Sequence, residues 1–357
     1  MNKKDGMNYA PTGRSKKVVE NGEFQIAAIG LDHGHIYGMC NGLIEAGAKL
    51  MYVYDSDPEK VNAFCERYPD VVPVDSEEEI YNKDSIDLIA CASIPIDRFE
   101  VGKKALSSGK HFFSDKPGFI KLEHVQQARE LVSRTGLKWG IYYSERLHVE
   151  SAMYAGELVK QGAIGRVVQV IGTGPHRLNA SARPDWFFKP DYFGGILCDI
   201  GSHQIEQFLH YTGATDAQVL HSKVANYNNK QYSDFQDFGD ATLLADNGAT
   251  FYFRVDWFTP DGLQTWGDGR AFILGTEGYI EIRKYIDIAN NSTSDHLYLV
   301  NNEKEEHFGL KGQVGFAFFG EFILDCLHNT EKSMTQEHIF RVAELSIETQ
   351  EKAVKVE

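Results

Sequence analysis

Short apolar runs that alternate with helical patterns fill the chain from residue 24 to about residue 144. Five of these runs have the continuous apolar character of strands buried on both faces: "FQIAAIG", "LMYVYD", "DLIACAS", "HFFSDK" and "KWGIYYS". Between them, apolar residues recur at helical spacing, with helices expected at about residues 97–109 and 122–135. Because parallel strands need crossover helices of this kind, the alternation predicts an α/β fold with a doubly wound parallel sheet.

From about residue 165 the pattern changes to longer alternating strands, among them "RVVQVIGTG", "QVLHSKVAN" and "ATFYFRVDW". The pair Asn247-Gly248 between two such runs is a signal for a tight hairpin. Helices are expected at "CDIGSHQIEQFLHYTG" and twice more between about residues 314 and 353. The second half is therefore predicted to be an α+β domain with a large mixed, mostly antiparallel sheet.

The change of pattern also sets the predicted domain boundary, because no repeat or Pro-rich linker marks it. A chain of 357 residues is long enough for two domains. We expect a loose N-terminal arm over residues 1–22, the parallel-sheet domain over 23–147 and the α+β domain over 148–357.

Charge and cysteine content restrict the classes of function. The 36 Lys and Arg against 51 Asp and Glu give a formal net charge of −15, which argues against a nucleic-acid partner. The 5 cysteines are odd in number and lack CxxC spacing, which favours a reducing compartment. The first twenty residues lack the apolar core of a signal peptide, and no run of about 18 apolar residues follows. These features predict a cytoplasmic protein without a membrane partner.

The stretch "AIGLDHGHIYGM" lies where the first predicted strand turns into a helix. A dinucleotide-binding turn has the pattern G-x-G-x-x-G, of which this stretch keeps only Gly30, with Asp32 and His35 at the later glycine positions. The second predicted strand ends in Asp55, where an acidic residue can accept hydrogen bonds from an adenosine ribose. Residues 56–58 contain no Arg or Lys for a 2′-phosphate, so the pattern favours NAD over NADP.

Two other interpretations of this stretch stay open. Asp32, His33 and His35 could hold a metal ion, although a helix N-terminus disfavours cations and no fourth ligand is nearby in the sequence. The same residues could also form a purely structural turn in which Asp32 caps the helix. We expect the dinucleotide turn and no metal.

Three polar residues are candidates for catalysis. Lys116 follows a predicted strand, at the sheet edge where ligands bind in open parallel sheets. Asp199 and His203 are four residues apart on a predicted helix, so they could form a general base and its orienting partner. Glu206 and His210 extend the same stripe, which could instead be the solvent-facing side of an amphipathic helix or, with Glu206, a metal site.

Aromatic residues and cations near the domain junction are candidates for substrate contacts. The loop "RPDWFFKPDYFGG" contains Trp186 among several aromatic residues, which often form the wall of a sugar or cofactor pocket. The segment "YYSERLH" contributes Tyr143 and Arg146, which could bind substrate or tie the domains together. His176 is a further candidate.

Six motifs occur in order from about residue 24 to beyond residue 280: "AAIGLDHGH", "VYDSDPEK", "ALSSGKHFFSDKPG", "LVKQGAIGRVVQV", "GGILCDIGSHQIEQF" and "FILGTEGYIEI". Together they resemble the Gfo/Idh/MocA oxidoreductases, the family of glucose-fructose oxidoreductase and inositol dehydrogenase. The resemblance implies that residues 23–147 form an NAD-binding Rossmann domain. It also implies that residues 148–357 bind the substrate and form a sheet through which subunits pair, as a homodimer or homotetramer.

The resemblance also implies residue roles. The family's Glu-Lys-Pro motif corresponds to Asp115-Lys116-Pro117, and its Asp-x-x-x-His element corresponds to Asp199 and His203. In family terms His203 takes the hydroxyl proton while a hydride leaves the same carbon for the nicotinamide. Lys116 and Asp199 hydrogen-bond the reacting oxygen. The expected cofactor-binding residues are Gly30, Leu31, Asp32, His33, His35, Asp55, Ser93 and Lys116, and the expected substrate-binding residues are Tyr143, Arg146, His176 and Trp186.

The sequence also departs from the family pattern. Asp32 stands where the second glycine of the turn is usual, and a carboxylate there repels a pyrophosphate unless it is turned away or caps the helix. Asp115 replaces the usual Glu, and Arg98 stands where the family commonly has a His.

The expected activity is that of an NAD-dependent oxidoreductase that interconverts a secondary alcohol and a ketone on a sugar, cyclitol or glycoside. One alternative is redox-neutral glycoside cleavage through a transient keto sugar with NAD kept bound, in which Tyr143 or His176 serves as a further acid or base. The other is a sugar- or nucleotide-binding module that has lost turnover.

Overall fold

The computed structural model describes residues 6–13, 15–20, 22–289 and 293–357, which divide into two compact units. The parallel-sheet unit comprises Met7–Tyr142 and Gly315–Phe340. The mixed-sheet unit comprises Tyr143–Val314, Arg341–Glu357 and a short N-terminal piece that ends at Gly6.

The parallel-sheet unit contains a six-stranded sheet with the order β3-β2-β1-β4-β5-β6, in which neighbouring strands pair in parallel. Its strands are β1 (Gln25–Ile29), β2 (Lys49–Tyr54), β3 (Val72–Pro73), β4 (Leu88–Cys91), β5 (His111–Asp115) and β6 (Trp139–Tyr142). The helices that connect them are α1 (His35–Glu45), α2 (Pro58–Arg67), α3 (Glu77–Tyr81), α4 (Arg98–Ser107) and α5 (Leu122–Thr135). The predicted doubly wound parallel sheet is confirmed.

Local sequence explains where these elements begin and end. All four residues of β4, a central strand, and of β6, an edge strand, are buried, as expected for a parallel sheet covered on both faces. Helix α2 begins at Pro58, and the side chain of Asp57 caps it by accepting a hydrogen bond from Glu59 N at 2.9 Å. Helix α5 ends at Gly136, which adopts the left-handed conformation (φ 70°).

The mixed-sheet unit is built on nine strands in the order β14-β13-β12-β11-β7-β10-β9-β8-β15. Its first elements are α6 (Ser144–Leu147), α7 (Glu150–Lys160), β7 (Val167–Pro175), α8 (Pro190–Phe193), α9 (Ile196–Asp199) and α10 (Gly201–Thr212). The next strands are β8 (Ala217–Ala225), β9 (Phe238–Ala245), β10 (Thr250–Asp256), β11 (Arg270–Gly275), β12 (Gly278–Arg283), β13 (His296–Asn301) and β14 (Glu305–Gly309). The last elements are α11 (Ala317–His328), α12 (Gln336–Glu351) and β15 (Val354–Val356). Helix α11 and the part of α12 up to Phe340 belong to the parallel-sheet unit.

Pairing in this sheet is antiparallel except between β7 and β10 and between β8 and β15, which confirms the predicted mixed, mostly antiparallel sheet. The predicted hairpin joins β9 to β10, with Gly248 in the left-handed region (φ 85°). In β10, Phe251 and Phe253 are buried while Tyr252 between them is 40% exposed. The ring of Phe251 stacks on Phe208 of α10 at 4.6 Å, so one face of the sheet packs against this helix.

The compact units differ from the single boundary predicted after residue 147. Gly315–Phe340 belongs to the parallel-sheet unit, because Phe318 and Phe322 of α11 pack against the ring of Phe113, at 5.9 and 5.3 Å. An apolar helix pattern does not reveal which sheet the helix covers.

The segment expected to be a loose arm makes specific contacts where the structure describes it. Val18 N donates to Ala46 O at 2.9 Å, and Gly13 N donates to Glu45 Oε1 at 3.0 Å. These bonds hold parts of the segment against the C-terminal end of α1.

Two further findings concern the whole chain. All five cysteines are free. Within the described ranges, no helix combines the length and the apolar character needed to cross a membrane.

Candidate active site

The turn between β1 and α1 is tight and is shaped by its first glycine. Gly30 has φ 76°, and its N–H donates to Tyr54 O of β2 at 3.0 Å. A Cβ at Gly30 would lie only 1.9 Å from Ser93 Oγ, so no larger residue fits without displacing Ser93. Helix α1 then begins at His35 after Gly34, which has no side chain to cover the positive end of the helix.

Asp55 is fixed beside this turn at the end of β2. Its Oδ2 accepts a hydrogen bond from Leu31 N at 2.6 Å, and its Oδ1 accepts one from Asp57 N at 2.9 Å. Backbone groups thus fix the carboxylate of Asp55 directly after β2. This is where a Rossmann domain places the acid that binds the adenosine ribose.

Asp32, at the position of the second glycine, is neutralised by a residue that the sequence analysis missed. Lys60 Nζ lies 2.7 Å from Asp32 Oδ1 and 3.8 Å from Asp55 Oδ1. Burial lowers the pKa of Lys60, but the hydrogen bond and the charge of Asp32 outweigh burial and raise it. Asp32 Oδ2 also accepts a hydrogen bond from Ile94 N at 3.2 Å. In the sequence, Lys60 lies in the first turn of α2, two residues after the segment 56–58 that contains no cation. A lysine so close to this segment was the signal for the pair.

The two histidines of the turn pair with Asp115. His35 Nδ1 lies 2.8 Å from Asp115 Oδ1, and His33 Nδ1 lies 3.3 Å from Asp115 Oδ2. Arg98, which is 1% exposed, places NH2 3.1 Å from the same Oδ2. Burial raises the pKa of Asp115, but the charges of His35, Arg98 and His33 outweigh it and hold the pKa well below the usual range. Since an ionised carboxylate only accepts hydrogen bonds, His35 Nδ1 donates.

This arrangement bears on the metal interpretation. His33, His35 and Asp115 offer ligand atoms that all lie within 4.8 Å of one another. Asp32, the third residue of the proposed metal loop, is outside that set and is paired with Lys60 instead. A metal ion in the set would have to share Asp115 with the buried guanidinium of Arg98, which would repel it. The cluster is better explained as an ion-pair network.

The same network anchors Lys116. Lys116 N donates to Asp115 Oδ1 at 2.7 Å, and Arg98 NH1 donates to Pro117 O at 3.0 Å. Arg98 Nε donates to Ser93 O at 2.7 Å, which ties the end of β4 to the end of β5. Lys116 is itself 5% exposed. Asp115 and Arg98, which stand where the family usually has Glu and His, thus form one buried network around the backbone of the Asp-Lys-Pro motif.

In the mixed-sheet unit, Asp199 and His203 lie one helical turn apart. Asp199 ends α9 and His203 is in the first turn of α10, while Ile200 between them keeps helical dihedral angles (φ −77°, ψ −36°). Asp199, His203 and Glu206 are all buried, whereas His210 is exposed. The first three residues of the stripe are therefore not a solvent-facing side of the helix.

Glu145 of α6 is a buried carboxylate near His203 that the sequence analysis also missed. Its Oε2 accepts hydrogen bonds from Lys284 Nζ at 2.8 Å and from Gln204 Nε2 at 2.9 Å. Its Oε1 lies 3.9 Å from His176 Nε2. Burial raises its pKa, but the charges of Lys284, His203 and His176 outweigh burial and lower the pKa to about 2. The position of this acidic residue, between the apolar strand β6 and the apolar Leu147, was the sequence signal that could have indicated a buried carboxylate.

The predicted substrate-binding residues fall in different surroundings. The ring of Tyr143 lies 6.4 Å from that of His203. The ring of His176 contacts Trp266 at 4.6 Å. Arg146 forms an ion pair with Glu206 of α10, with its Nε 2.7 and 2.9 Å from the two carboxylate oxygens and its NH2 also in contact. Trp186 is half-buried in the aromatic loop, with its ring 6.1 Å from that of Phe187.

The Rossmann turn fits NAD on three observations within the parallel-sheet unit. The N-terminus of α1 is free of a covering side chain at Gly34, Asp55 is held after β2 where a Rossmann domain places its ribose-binding acid, and the charge of Asp32 is balanced by Lys60.

Both units contain a segment that matches a known protein family. Residues 25–143 match the family described as an oxidoreductase family with an NAD-binding Rossmann fold. Residues 153–281 match the C-terminal domain of the GFO/IDH/MocA proteins. The parallel sheet is therefore the NAD-binding domain of this family.

Three known proteins illustrate the similarity. A crystal structure of a protein from Erwinia carotovora atroseptica SCRI1043, assigned as an oxidoreductase, is 52% identical, with a TM-score of 0.91 over 94% of this chain and 100% of that one. D-xylose dehydrogenase from Paenarthrobacter nicotinovorans is 26% identical over 131 residues, 35% of this chain and 34% of the relative. Levoglucosan dehydrogenase in complex with NADH and L-sorbose shares the fold at 17% identity, with a TM-score of 0.76 over 93% of this chain and 97% of that one.

The chain spans between a third and half of the length of the first curated relatives that it matches. The match to the Erwinia protein, by contrast, extends over nearly the whole chain. With both of its domains matched in order, the protein belongs to the Gfo/Idh/MocA oxidoreductase family.

Proposed function

We propose that the protein is an NAD-dependent oxidoreductase that interconverts a secondary alcohol and a ketone on a sugar, cyclitol or glycoside. The observation that carries this proposal is His203, a buried histidine one helical turn from Asp199 and next to Gln204, which hydrogen-bonds to the carboxylate of Glu145 at 2.9 Å. A histidine in such surroundings is suited to accept a proton, because a nearby carboxylate stabilises its charged form.

NAD, when bound, supplies a hydride acceptor for the carbon that carries the reacting hydroxyl. The imidazole of His203 accepts the hydroxyl proton, and the negative charge of Glu145 stabilises the resulting imidazolium. Asp199 is proposed to orient the reacting oxygen together with His203. Lys116 is proposed to donate a hydrogen bond to that oxygen, with its backbone held in place by Asp115.

The names of two similar proteins support a sugar as the substrate class. One relative is named for D-xylose, and one structural neighbour is named for levoglucosan and was solved with L-sorbose. Tyr143, His176 and Trp186 are proposed to contact the substrate, since aromatic and imidazole rings pack well against the apolar faces of sugars. Arg146 is already paired with Glu206, so we propose that it contributes by positioning α6 against α10.

Redox-neutral cleavage of a glycoside remains a second candidate, and one observation favours it. The ring of Tyr143 lies 6.4 Å from that of His203, so its phenol is the candidate proton donor to a leaving group near His203.

We further propose a cytoplasmic location and a homodimer or homotetramer. All five cysteines are free thiols, as is usual in a reducing compartment. The face of the mixed sheet opposite α10 exposes the apolar side chains of Ile171, Leu244, Tyr252 and Leu274, a surface suited to pairing of subunits.

The test is a panel of sugars, cyclitols and glycosides incubated with the purified protein and NAD. NADH formation in proportion to ketone product supports the dehydrogenase, whereas aglycone release without NADH accumulation supports redox-neutral cleavage. Binding of sugar and NAD without conversion of any compound would leave a binding module and refute both catalytic proposals.

A further inference from the structure

The charge arrangement at the adenosine side of the turn carries an inference beyond the proposed activity, although it rests on that activity's use of a nicotinamide dinucleotide. We propose that the ion pair between Asp32 and Lys60 is the element that lets this turn bind the dinucleotide and that sets its choice between NAD and NADP. Asp32 occupies the second glycine position of the turn, whereas Lys60 lies outside the glycine pattern.

Asp32 creates an electrostatic problem for a bound pyrophosphate. Its carboxylate stands at the position where a dinucleotide turn usually has a glycine, next to the helix end that receives the pyrophosphate. Asp55 adds a second carboxylate beside the same turn, held by Leu31 N at 2.6 Å. Two uncompensated carboxylates would repel any phosphate that enters.

The ammonium group of Lys60 compensates the negative charges of both carboxylates. Its Nζ is 2.7 Å from Asp32 Oδ1 and 3.8 Å from Asp55 Oδ1. The side chains of Lys60 and Asp32 are 35% and 19% exposed, so solvent screens the pair only in part. Asp32 Oδ2 in addition accepts a hydrogen bond from Ile94 N at 3.2 Å, which ties the carboxylate to the segment that follows β4.

The positions of Asp55 and Lys60 also bear on the choice between NAD and NADP. Asp55 marks the ribose position, where NADP differs from NAD by a 2′-phosphate. Lys60 is close enough to Asp55 to attract such a phosphate, but its shorter contact is with Asp32. Asp32 therefore keeps the lysine engaged, and the carboxylate of Asp55 then disfavours the additional phosphate. If Lys60 is released from Asp32, the affinity for NADP should rise relative to the affinity for NAD.

The experiment measures the dissociation constants of NAD and NADP by calorimetric titration of cofactor-stripped protein, a readout that is independent of activity. Lys60→Met should weaken NAD binding by about tenfold or more, since it leaves Asp32 and Asp55 uncompensated. Asp32→Asn keeps an oxygen for Ile94 N but removes the charge, so the ratio of NADP to NAD affinity should rise by about tenfold. The double variant should bind NAD more tightly than Lys60→Met alone.

Lys49→Met is the matched control, because Lys49 is an exposed lysine at the opposite end of β2 from Asp55. It should leave both dissociation constants unchanged, and thermal unfolding should show that all variants are folded. NAD binding that is the same in Lys60→Met as in the wild type would overturn this inference but not the proposed function. Failure of the wild type to bind either dinucleotide would overturn the proposed function and this inference with it.

Discussion

Replacement of Lys284 by methionine is the perturbation whose outcome the structure defines most sharply. Lys284 is fully buried, and its Nζ donates to Glu145 Oε2 at 2.8 Å. Methionine has a similar length and fills the same space, but it cannot donate to the buried carboxylate, which keeps the hydrogen bond from Gln204 Nε2 at 2.9 Å. The variant therefore tests the charge of Lys284 and not its volume.

The size of the effect follows from the pKa of Glu145. Burial alone raises this pKa, yet Lys284, His203 and His176 lower it from 4.5 to about 2. A shift of this size corresponds to about 3 kcal/mol in favour of the folded, ionised form. Removal of one partner of a buried ion pair typically costs about 3–5 kcal/mol, in agreement with that value. We expect Lys284→Met to lower the free energy of unfolding by roughly this amount at pH 7.

The assay is urea unfolding followed by tryptophan fluorescence. Lys304→Met is the matched control in the same unit, because Lys304 pairs with Glu306 at the surface with both side chains more than 40% exposed, and it should cause no measurable change. Adding Glu145→Gln to Lys284→Met should recover part of the loss, since no unpaired charge then remains buried. A loss for Lys284→Met no larger than for Lys304→Met would refute the argument.

The same pair predicts how stability depends on pH. Because the pKa of Glu145 is lowered on folding, its contribution is fully present above pH 4.5 and is lost as the pH falls towards 2. The difference in unfolding free energy between wild type and Lys284→Met should shrink over this window. A difference that stays constant from pH 7 to the acid limit of folding would contradict the assignment.

Three further outcomes are expected. Gly30→Ala should lower the melting temperature more than Gly109→Ala, because both positions have positive φ (76° and 79°) but only the first places its new Cβ 1.9 Å from a neighbouring serine oxygen; equal losses would contradict the steric argument. Asp115→Asn should destabilise the protein by about 3 kcal/mol in thermal or urea unfolding, since it leaves the buried guanidinium of Arg98 without its counter-charge; a change below about 1 kcal/mol would show that the network is not needed for folding. His203→Gln should reduce kcat by about 10²–10⁴-fold on an identified substrate while NAD binding is retained, and unchanged turnover would exclude His203 as the base.

Much of the fold could be predicted because its signals are local. The strands β1 and β4 are mostly short continuous apolar runs, and the residue that follows β2 is acidic, so both the sheet and the position of Asp55 were available from the sequence. The short strands β3 and β15 were missed, since two or three residues carry no periodicity.

The charge networks could not be predicted because they join distant parts of the chain. Lys60 reaches Asp32 only after α2 folds back beside the first turn, and Lys284 reaches Glu145 across 139 positions of sequence. Neither pair has a spacing that a sequence pattern can reveal. The two histidines of the turn were noticed, but their partner Asp115 is 80 positions from His35 and was read only as a family substitution.

Titration of the cofactor-stripped wild-type protein with NAD tests the central claim most directly. The arrangement of Gly30, Asp55 and the Asp32–Lys60 pair predicts saturable binding of one NAD per chain. Absence of saturable NAD binding by a folded protein would contradict the account, because a turn that excludes the dinucleotide cannot serve the proposed hydride transfer.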